Sequence, residues 1–389
     1  MRDATRLVTG GRDHPDQPHL VNPGVHRGST VLFPTLAALQ NRGRDSRLSY
    51  GRDGTPTTFA LTDAFAELEG ADGCVVAASG KAAIAVALTA LLEAGDHVLV
   101  TDNIYAPSRQ YCERVLKRFG VETTYFPPMI GADIARLMRP ETKLVFTESP
   151  GSQTFEVQDV PAIAAAARRH GAWTLMDNTW ATPLYFRPFD HGVDVAIHAG
   201  TKYVVGHSDA MMGLITWRGE VGRAIAAGTR DLGCPAGPDD CWLALRGLRT
   251  MGVRLRQHEA AALELARWLE TRPEVTRVLH PALPSCPGHE LFARDFQGSS
   301  GLFGFVMRRA PEAALAAMLD HLELFGMGYS WGGYESLLIP TWPHRTAEPW
   351  SEEGQAMRIH VGLEDPADLI RDLEAGFARL AAASKSVSR

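Results

Sequence analysis

No stretch of about 18 consecutive apolar residues occurs in the 389-residue chain, so no membrane-spanning helix is expected. Cysteine is scarce. The five thiols, Cys74, Cys112, Cys234, Cys241 and Cys286, are odd in number and form no close pair. That pattern argues against a disulfide framework and against zinc, and fits reduced thiols. Neither sign of charge dominates: 39 basic against 45 acidic residues give a formal net charge of -6, spread along the chain. A nucleic-acid groove or an anionic membrane partner is therefore not expected, and a small anionic substrate would be held by local arginines. The polar start, Met1 to Arg12, does not read as a secretory leader, which makes the cytoplasm the expected compartment. No internal repeat or low-complexity tract stands out.

Apolar residues make up 45% of the chain, enough for a large core and a second, smaller unit. The first fifty residues carry scattered Gly, Pro, Asn and Arg with little periodicity, yet include Leu32, Phe33, Leu48 and Tyr50. They read as an arm, residues 1–51, that packs on a neighbouring subunit. From Thr57 onward helices and strands alternate: helices over Thr57–Leu68, Ala82–Leu92, Pro107–Phe119 and Val160–Arg169, strands over Val98–Thr101, Leu144–Thr147, Trp173–Asp177 and Val193–Ile197. Such alternation predicts an α/β fold with a mainly parallel sheet covered on both faces, here over residues 52–248. A long helix, Asp239–Glu270, leads into a changed pattern. Strands at Thr276–Val278, Gly301–Met307 and Met357–Val361, with helices at Pro311–Leu324 and Pro366–Ala382, predict a smaller α+β domain over residues 249–389.

The chemistry concentrates at the carboxyl ends of the parallel strands, where α/β sheets bind ligands. Lys202 stands in Ala199-Gly200-Thr201-Lys202-Tyr203, behind small residues and a hydroxyl, just after an apolar strand. A lysine so placed is poised for a Schiff base. Asp177 closes the preceding strand and could pair with a pyridinium nitrogen, which keeps pyridoxal phosphate an electron sink. Glu148 falls at a third strand end. Ser79-Gly80-Lys81 precedes an alanine-rich helix, whose first amides suit a phosphate; it is not a P-loop, because Val75 and Ala82 stand where that motif needs Gly and Ser or Thr. Tyr105 follows a strand where its ring could stack on a flat cofactor. Arg358, inside an apolar strand, needs an anionic partner such as a substrate carboxylate. The run Gly206-His207-Ser208-Asp209 is too contiguous to form a hydrolytic triad and reads as a turn bracing the lysine segment. His191 and His198 lack metal-binding companions, so no metal is expected.

The chain resembles the pyridoxal-phosphate enzymes of cysteine and methionine metabolism over nearly its whole length. The resemblance rests on Tyr50-Gly51-Arg52 with Gly54-Thr55-Pro56-Thr57, on Glu148-Ser149-Pro150-Gly151-Ser152, and on Asp177-Asn178-Thr179-Trp180-Ala181. It extends to Thr201-Lys202-Tyr203 with Gly206-His207-Ser208-Asp209-Ala210, to Arg246-Gly247-Leu248-Arg249-Thr250, and to Tyr329-Ser330-Trp331-Gly332-Gly333-Tyr334-Glu335-Ser336. It implies the fold type I, aspartate aminotransferase-like architecture and pyridoxal 5'-phosphate as cofactor. Carried over residue by residue, Lys202 forms the Schiff base and moves the proton, Asp177 holds the ring nitrogen, and Tyr105 stacks on the ring. Gly80, Lys81 and Thr201 would hold the phosphate, joined by Tyr50 and Arg52 from a neighbouring subunit. Tyr50 and Tyr105 count with Lys202 as catalytic, while Arg358, Ser330, Trp331 and Tyr105 face the substrate. A dimer is then the catalytic unit, and relatives suggest pairing into a tetramer. Two positions depart from the pattern: Ala199 replaces the serine of many relatives, and Lys81 a small or thioether residue.

Within the family, Ala106-Pro107-Ser108 after Tyr105 and the tryptophan of Tyr329-Ser330-Trp331 are similar to the β-acting members. The implied reaction is α,β-elimination of a thioether amino acid, cystathionine giving homocysteine, pyruvate and ammonia, with other S-substituted cysteines open as substrates. A γ-acting lyase or synthase is the alternative on the same fold. A non-catalytic cofactor-binding regulator would be expected to lose Lys202, Asp177 or Arg358, and all three are present.

Overall fold

The computed structural model describes residues 1–12, 20–42 and 47–387. Two short helices, α1 (Asp3–Thr9) and α2 (Leu36–Gln40), lie in the N-terminal stretch, and α3 (Pro56–Glu69) follows with proline in its first turn and a left-handed Gly70 at its end. Strand β1 (Gly73–Ala77) leads to α4 (Gly80–Leu91), β2 (His97–Thr101), α5 (Ala106–Arg114), β3 (Glu122–Phe126) and β4 (Thr142–Glu148). Helix α6 (Val160–His170), capped by Asp159, precedes β5 (Trp173–Asp177), the one-turn α7 (Thr182–Tyr185) and β6 (Val195–His198). Strand β7 (Gly213–Trp217), α8 (Gly222–Leu232) and the 33-residue α9 (Pro238–Glu270) complete this part.

Seven strands form one sheet in the order β1-β7-β6-β5-β4-β2-β3, parallel except that β7 runs against both of its neighbours. All five residues of β2 and all four of β6 are buried, as expected for strands covered on both faces. Register places Glu148 beside Asp177, and Asp177 beside Ile197, so the carboxyl ends of β4, β5 and β6 lie side by side. The segment carrying Lys202 leaves directly from the end of β6.

The remaining elements are β8 (Val275–Leu279), α10 (His289–Asp295), β9 (Leu302–Met307), α11 (Glu312–Leu319), β10 (Leu337–Thr341), β11 (Gln355–His360) and α12 (Pro366–Val387). A wholly antiparallel sheet, β10-β11-β9-β8, packs with α11 and α12 around its own core. Arg358 sits in the middle of β11, paired with Ile339 on one side and Gly304 on the other. Helix α9 joins the two units. Leu245, Leu248 and Leu255 belong to the large core, whereas Leu265 and Leu269 belong to the small one, so residue 248 lies within a continuous helix.

Several elements go beyond the sequence reading. Strands β1, β3 and β7 and helix α8 were not expected. Each strand is only five residues long, and runs that short look alike whether they become strands or helix turns. The helix expected over Pro107–Phe119 stops at Arg114 and tightens into a 3₁₀ turn ended by a left-handed Gly120. Helix α1 docks on its own chain, burying Leu7 in the large core, with Arg249 of α9 donating to the carbonyls of Val8 and Gly10. Leu32 and Tyr50 remain exposed, uncovered by the chain that carries them.

Candidate active site

Thr179 ties two of the adjacent strand ends together. Its hydroxyl donates to Asp177 Oδ1 at 2.5 Å and accepts the backbone N–H of Ala199 at 2.8 Å, while its own N–H donates to Asp177 Oδ1 at 3.0 Å. Burial raises the Asp177 carboxyl above its ordinary value, and the two Thr179 hydrogen bonds oppose that shift. Burial acts in the other sense on Lys202. It lowers the amine to about 8, helped by the nearby Arg358 charge and resisted by Asp177. Lys202 Nζ donates to Ser330 Oγ at 2.6 Å and lies 5.3 Å from the centre of the Trp331 ring.

These groups open onto a cavity of about 330 Å³, whose wall includes Gly80, Lys81, Tyr105, Asp177, Thr201, Lys202, Ser330, Trp331 and Arg358. The large sheet supplies the lysine and the acid; the small sheet supplies the arginine and the Ser330 loop. Ser330 has a left-handed φ of 90°, unusual for a residue with a Cβ. In that conformation its hydroxyl meets Lys202 and its carbonyl accepts from Arg358 Nη2 at 3.2 Å. Gly332, at φ 85°, crosses the lysine segment so closely that a Cβ would lie 3.0 Å from the backbone of Lys202 and Tyr203. Arg358 is half-buried, which lowers its pKa from the ordinary value, and its remaining donors are available to a carboxylate. Desolvation, then the acids at 177 and 148, raise the Tyr105 phenol above its ordinary value.

At the opposite wall Ser79 caps α4 by accepting the N–H of Ala82 at 3.0 Å. The N–H groups of Gly80 and Lys81 belong to the first turn, which has no intrahelical acceptors for them, and the helix dipole adds positive potential there. A Cβ on Gly80 would stand 2.6 Å from the Ala199 Cβ, so these two small residues are fitted to each other. Thr201 Oγ1 donates to the Met212 carbonyl at 3.2 Å and accepts the Met212 N–H at 3.0 Å, so its hydroxyl proton is engaged within the chain. The exposed Lys81 lines the same wall.

Two expected site residues are elsewhere. Tyr50 and Arg52 do not line this cavity; both are largely exposed, with the Arg52 guanidinium 5.3 Å from the Tyr50 ring centre. Arg52 instead lines a second cavity, with Arg47 and Arg230. Their placement is compatible with service to a neighbouring subunit, not to their own. The Gly206–Asp209 run forms no triad: His207 Nδ1 bonds the Val205 carbonyl at 2.7 Å, and Ser208 Oγ donates to Glu335, linking the lysine segment to the loop after Ser330. His198 bonds Glu69 at 2.7 Å, and His191 stacks on Phe186. Among the described residues no group of three or more metal-ligating side chains gathers.

Sequence reasoning passed over Thr179 and left Glu148 without a task, although both touch the site. Their strand-end positions were legible, but their contacts depend on the register of β4, β5 and β6.

A buried acid, an amine with a lowered pKa, a helix start and a free arginine fork fit pyridoxal phosphate and an amino-acid substrate. Comparison with known proteins agrees. The family described as Cys/Met metabolism PLP-dependent enzyme matches residues 4–378. The chain is 46% identical over 387 residues to cystathionine beta-lyase MetC of Escherichia coli strain K12, covering 97% of this chain and 98% of that protein. It is 45% identical to the cystathionine beta-lyase of Salmonella typhimurium, with the same coverage. A crystal structure of cystathionine gamma synthase from Xanthomonas oryzae pv. oryzae superposes with a TM-score of 0.90 at 32% identity, covering 98% of this chain and 99% of that one.

Proposed function

Because the chain belongs to the family of Cys/Met metabolism PLP-dependent enzymes, we propose that the cavity between the two sheets is where it breaks the Cβ–S bond of an amino-acid thioether. The protein is a PLP-dependent carbon–sulfur lyase of the cystathionine β-lyase type. Cystathionine gives homocysteine, with the three-carbon remainder leaving as pyruvate and ammonia. When bound, the cofactor would supply an electron sink for the pair left at Cα when its C–H bond breaks, which is what lets that proton be removed under mild conditions.

The residues of the chain do the rest. Lys202 would anchor the cofactor, and its amine, when free, is the group placed to take the Cα proton and later return a proton to the departing sulfur or to carbon. Its pKa of about 8 leaves an appreciable neutral fraction near neutrality, which an ordinary lysine lacks. Ser330 holds that amine at 2.6 Å and so sets the direction from which it works. Arg358 takes the substrate carboxylate in a bidentate grip, leaving only rotations that place Cα near Lys202. Asp177, braced by Thr179, would hold the ring nitrogen. Tyr105 would cover the ring. Gly80 and Lys81 would take the phosphate through their N–H groups, with Thr201 beside them only if its hydroxyl turns from the Met212 carbonyl, and the partner subunit would complete that end with its own Tyr50 and Arg52, making a dimer the working unit. A cytoplasmic location belongs to the same reading.

The observation that carries this function is Lys202: an amine shielded from bulk water, oriented by Ser330, and sharing one cavity with Asp177 and Arg358. Incubation of the purified enzyme with cystathionine is expected to yield pyruvate and homocysteine. Release of 2-oxobutyrate and cysteine would instead reassign the chain to γ-elimination, the chemistry of other members of this fold.

A further inference from the structure

One acid in the cavity wall has no part in that scheme. Glu148 ends β4 directly beside Asp177 at the end of β5, and both line the cavity. Glu148 Oε2 accepts the backbone N–H of Tyr105 at 2.7 Å, and its side chain also hydrogen-bonds Ser152. Behind it, Gln158 Nε2 donates to the Glu148 carbonyl at 2.6 Å, to Thr101 Oγ1 at 3.0 Å and to Asn103 Oδ1 at 3.1 Å. The end of β4 and the loop that delivers Tyr105 are thus one hydrogen-bonded frame.

Two carboxyl groups on neighbouring strand ends, both shielded from water, cannot easily be ionised together. The surroundings decide which one carries the charge. Asp177 has the two Thr179 hydrogen bonds, and the charges of His198 and Lys202 favour its anion. Around Glu148 the charged or titratable groups are Asp177 on β5, Tyr105 at the start of α5, Lys202 and Arg358 across the cavity, and Lys81 on α4. Of these, Asp177 acts on it most strongly, and with the same sign. Desolvation and Asp177 together hold the Glu148 carboxyl well above the ordinary carboxylate range.

We propose that Glu148 is a positioning residue that works as a neutral carboxylic acid: its acceptor oxygen fixes the Tyr105 backbone, and its proton leaves Asp177 as the single anionic carboxyl group at this end of the cavity. The inference rests on the reading of the cavity as the PLP site. A second carboxylate here would stand as a like charge beside Asp177 and disfavour the anion that a ring nitrogen needs. A neutral acid holds the Tyr105 loop without that repulsion.

Neutron diffraction from deuterium-exchanged wild-type holoenzyme crystals at neutral pH is expected to show a deuteron on Glu148 and none on Asp177. A bare carboxylate at Glu148 overturns the proposal, and this measurement needs no variant. Two substitutions test the tether. Glu148→Ala removes the acceptor for Tyr105 and is expected to speed loss of bound PLP, followed by decay of the visible band in cofactor-free buffer, by about tenfold, the scale of a lost buried hydrogen bond. Glu148→Gln, neutral and nearly isosteric, is expected to restore slow release and to leave the pH titration of the band where the wild type has it. Release from Glu148→Ala as slow as from wild type, or a shifted titration in Glu148→Gln, would also overturn it. The site itself is tested separately by Lys202→Ala. A band that survives that change removes the PLP reading, whereas a band lost with Lys202 and a bare Glu148 removes only this inference.

Discussion

Lys202 owes its reactivity to what surrounds it. Desolvation sets its amine at about 8, with the positive charge of Arg358 acting in the same direction. Only the neutral amine attacks the aldehyde of free PLP, so the protonation state of the cofactor-free protein is open to direct measurement. Below pH 8 the amine is mostly protonated in the folded chain, and its reactive fraction grows about tenfold per pH unit. The rate of PLP uptake by cofactor-free enzyme is therefore expected to climb with pH and level off above about 8. A rate still climbing steeply beyond pH 10 would mean an unperturbed lysine and a wrong account of its burial. Lys202, Asp177 and Arg358 were legible because each breaks a local rule, a charge where the pattern is apolar. Ser330 was legible through motif likeness alone. Its left-handed backbone and its contact with the lysine were not, because they depend on Gly332 crossing a segment over a hundred residues away in sequence.

Among the elements, α9 does more than connect. Gly247 presses this helix against the lysine segment: a Cβ there would lie 2.3 Å from the carbonyl oxygens of both Val204 and Val205. Arg254, two turns further along the same face, donates to the carbonyls of Tyr203 at 2.7 Å and Gly247 at 2.8 Å. The helix thereby satisfies and confines the backbone just beyond Lys202. Gly247→Ala is expected to cost about 1–3 kcal/mol, since overpacking against rigid backbone has no easy relief. It should also shift the absorbance of bound PLP, because the lysine segment must give way. Thermal unfolding and the visible spectrum check the two effects, and an unchanged melting temperature would show that the contact is slack. Long periodic helices such as α9 were visible in the sequence, as was α12. The five-residue strands β1 and β7 were not, since their identity comes from pairing with each other across more than a hundred residues.

At the scale of the whole molecule, one chain leaves Tyr50 and Arg52 outside its own cavity. If they serve a partner, an active site is a joint product of two chains. Enzyme carrying Lys202→Ala and enzyme carrying Arg52→Ala are each expected to be impaired. Unfolded together and refolded, they should regain up to about a quarter of wild-type activity, because half of randomly formed dimers contain one intact site. No gain on mixing would place Arg52 in service of its own chain or of none. The sequence by itself determined the chemical groups and the order of the elements, because local periodicity and misplaced charges need no partner to be recognised. Tertiary structure alone decided that Glu148 stands beside Asp177, that Ser330 holds Lys202, and that Arg358 from the small sheet shares one cavity with Asp177 from the large one. Those proximities follow from strand register and from the packing of two sheets, which bring together residues whose separation along the chain carries no trace of their contact.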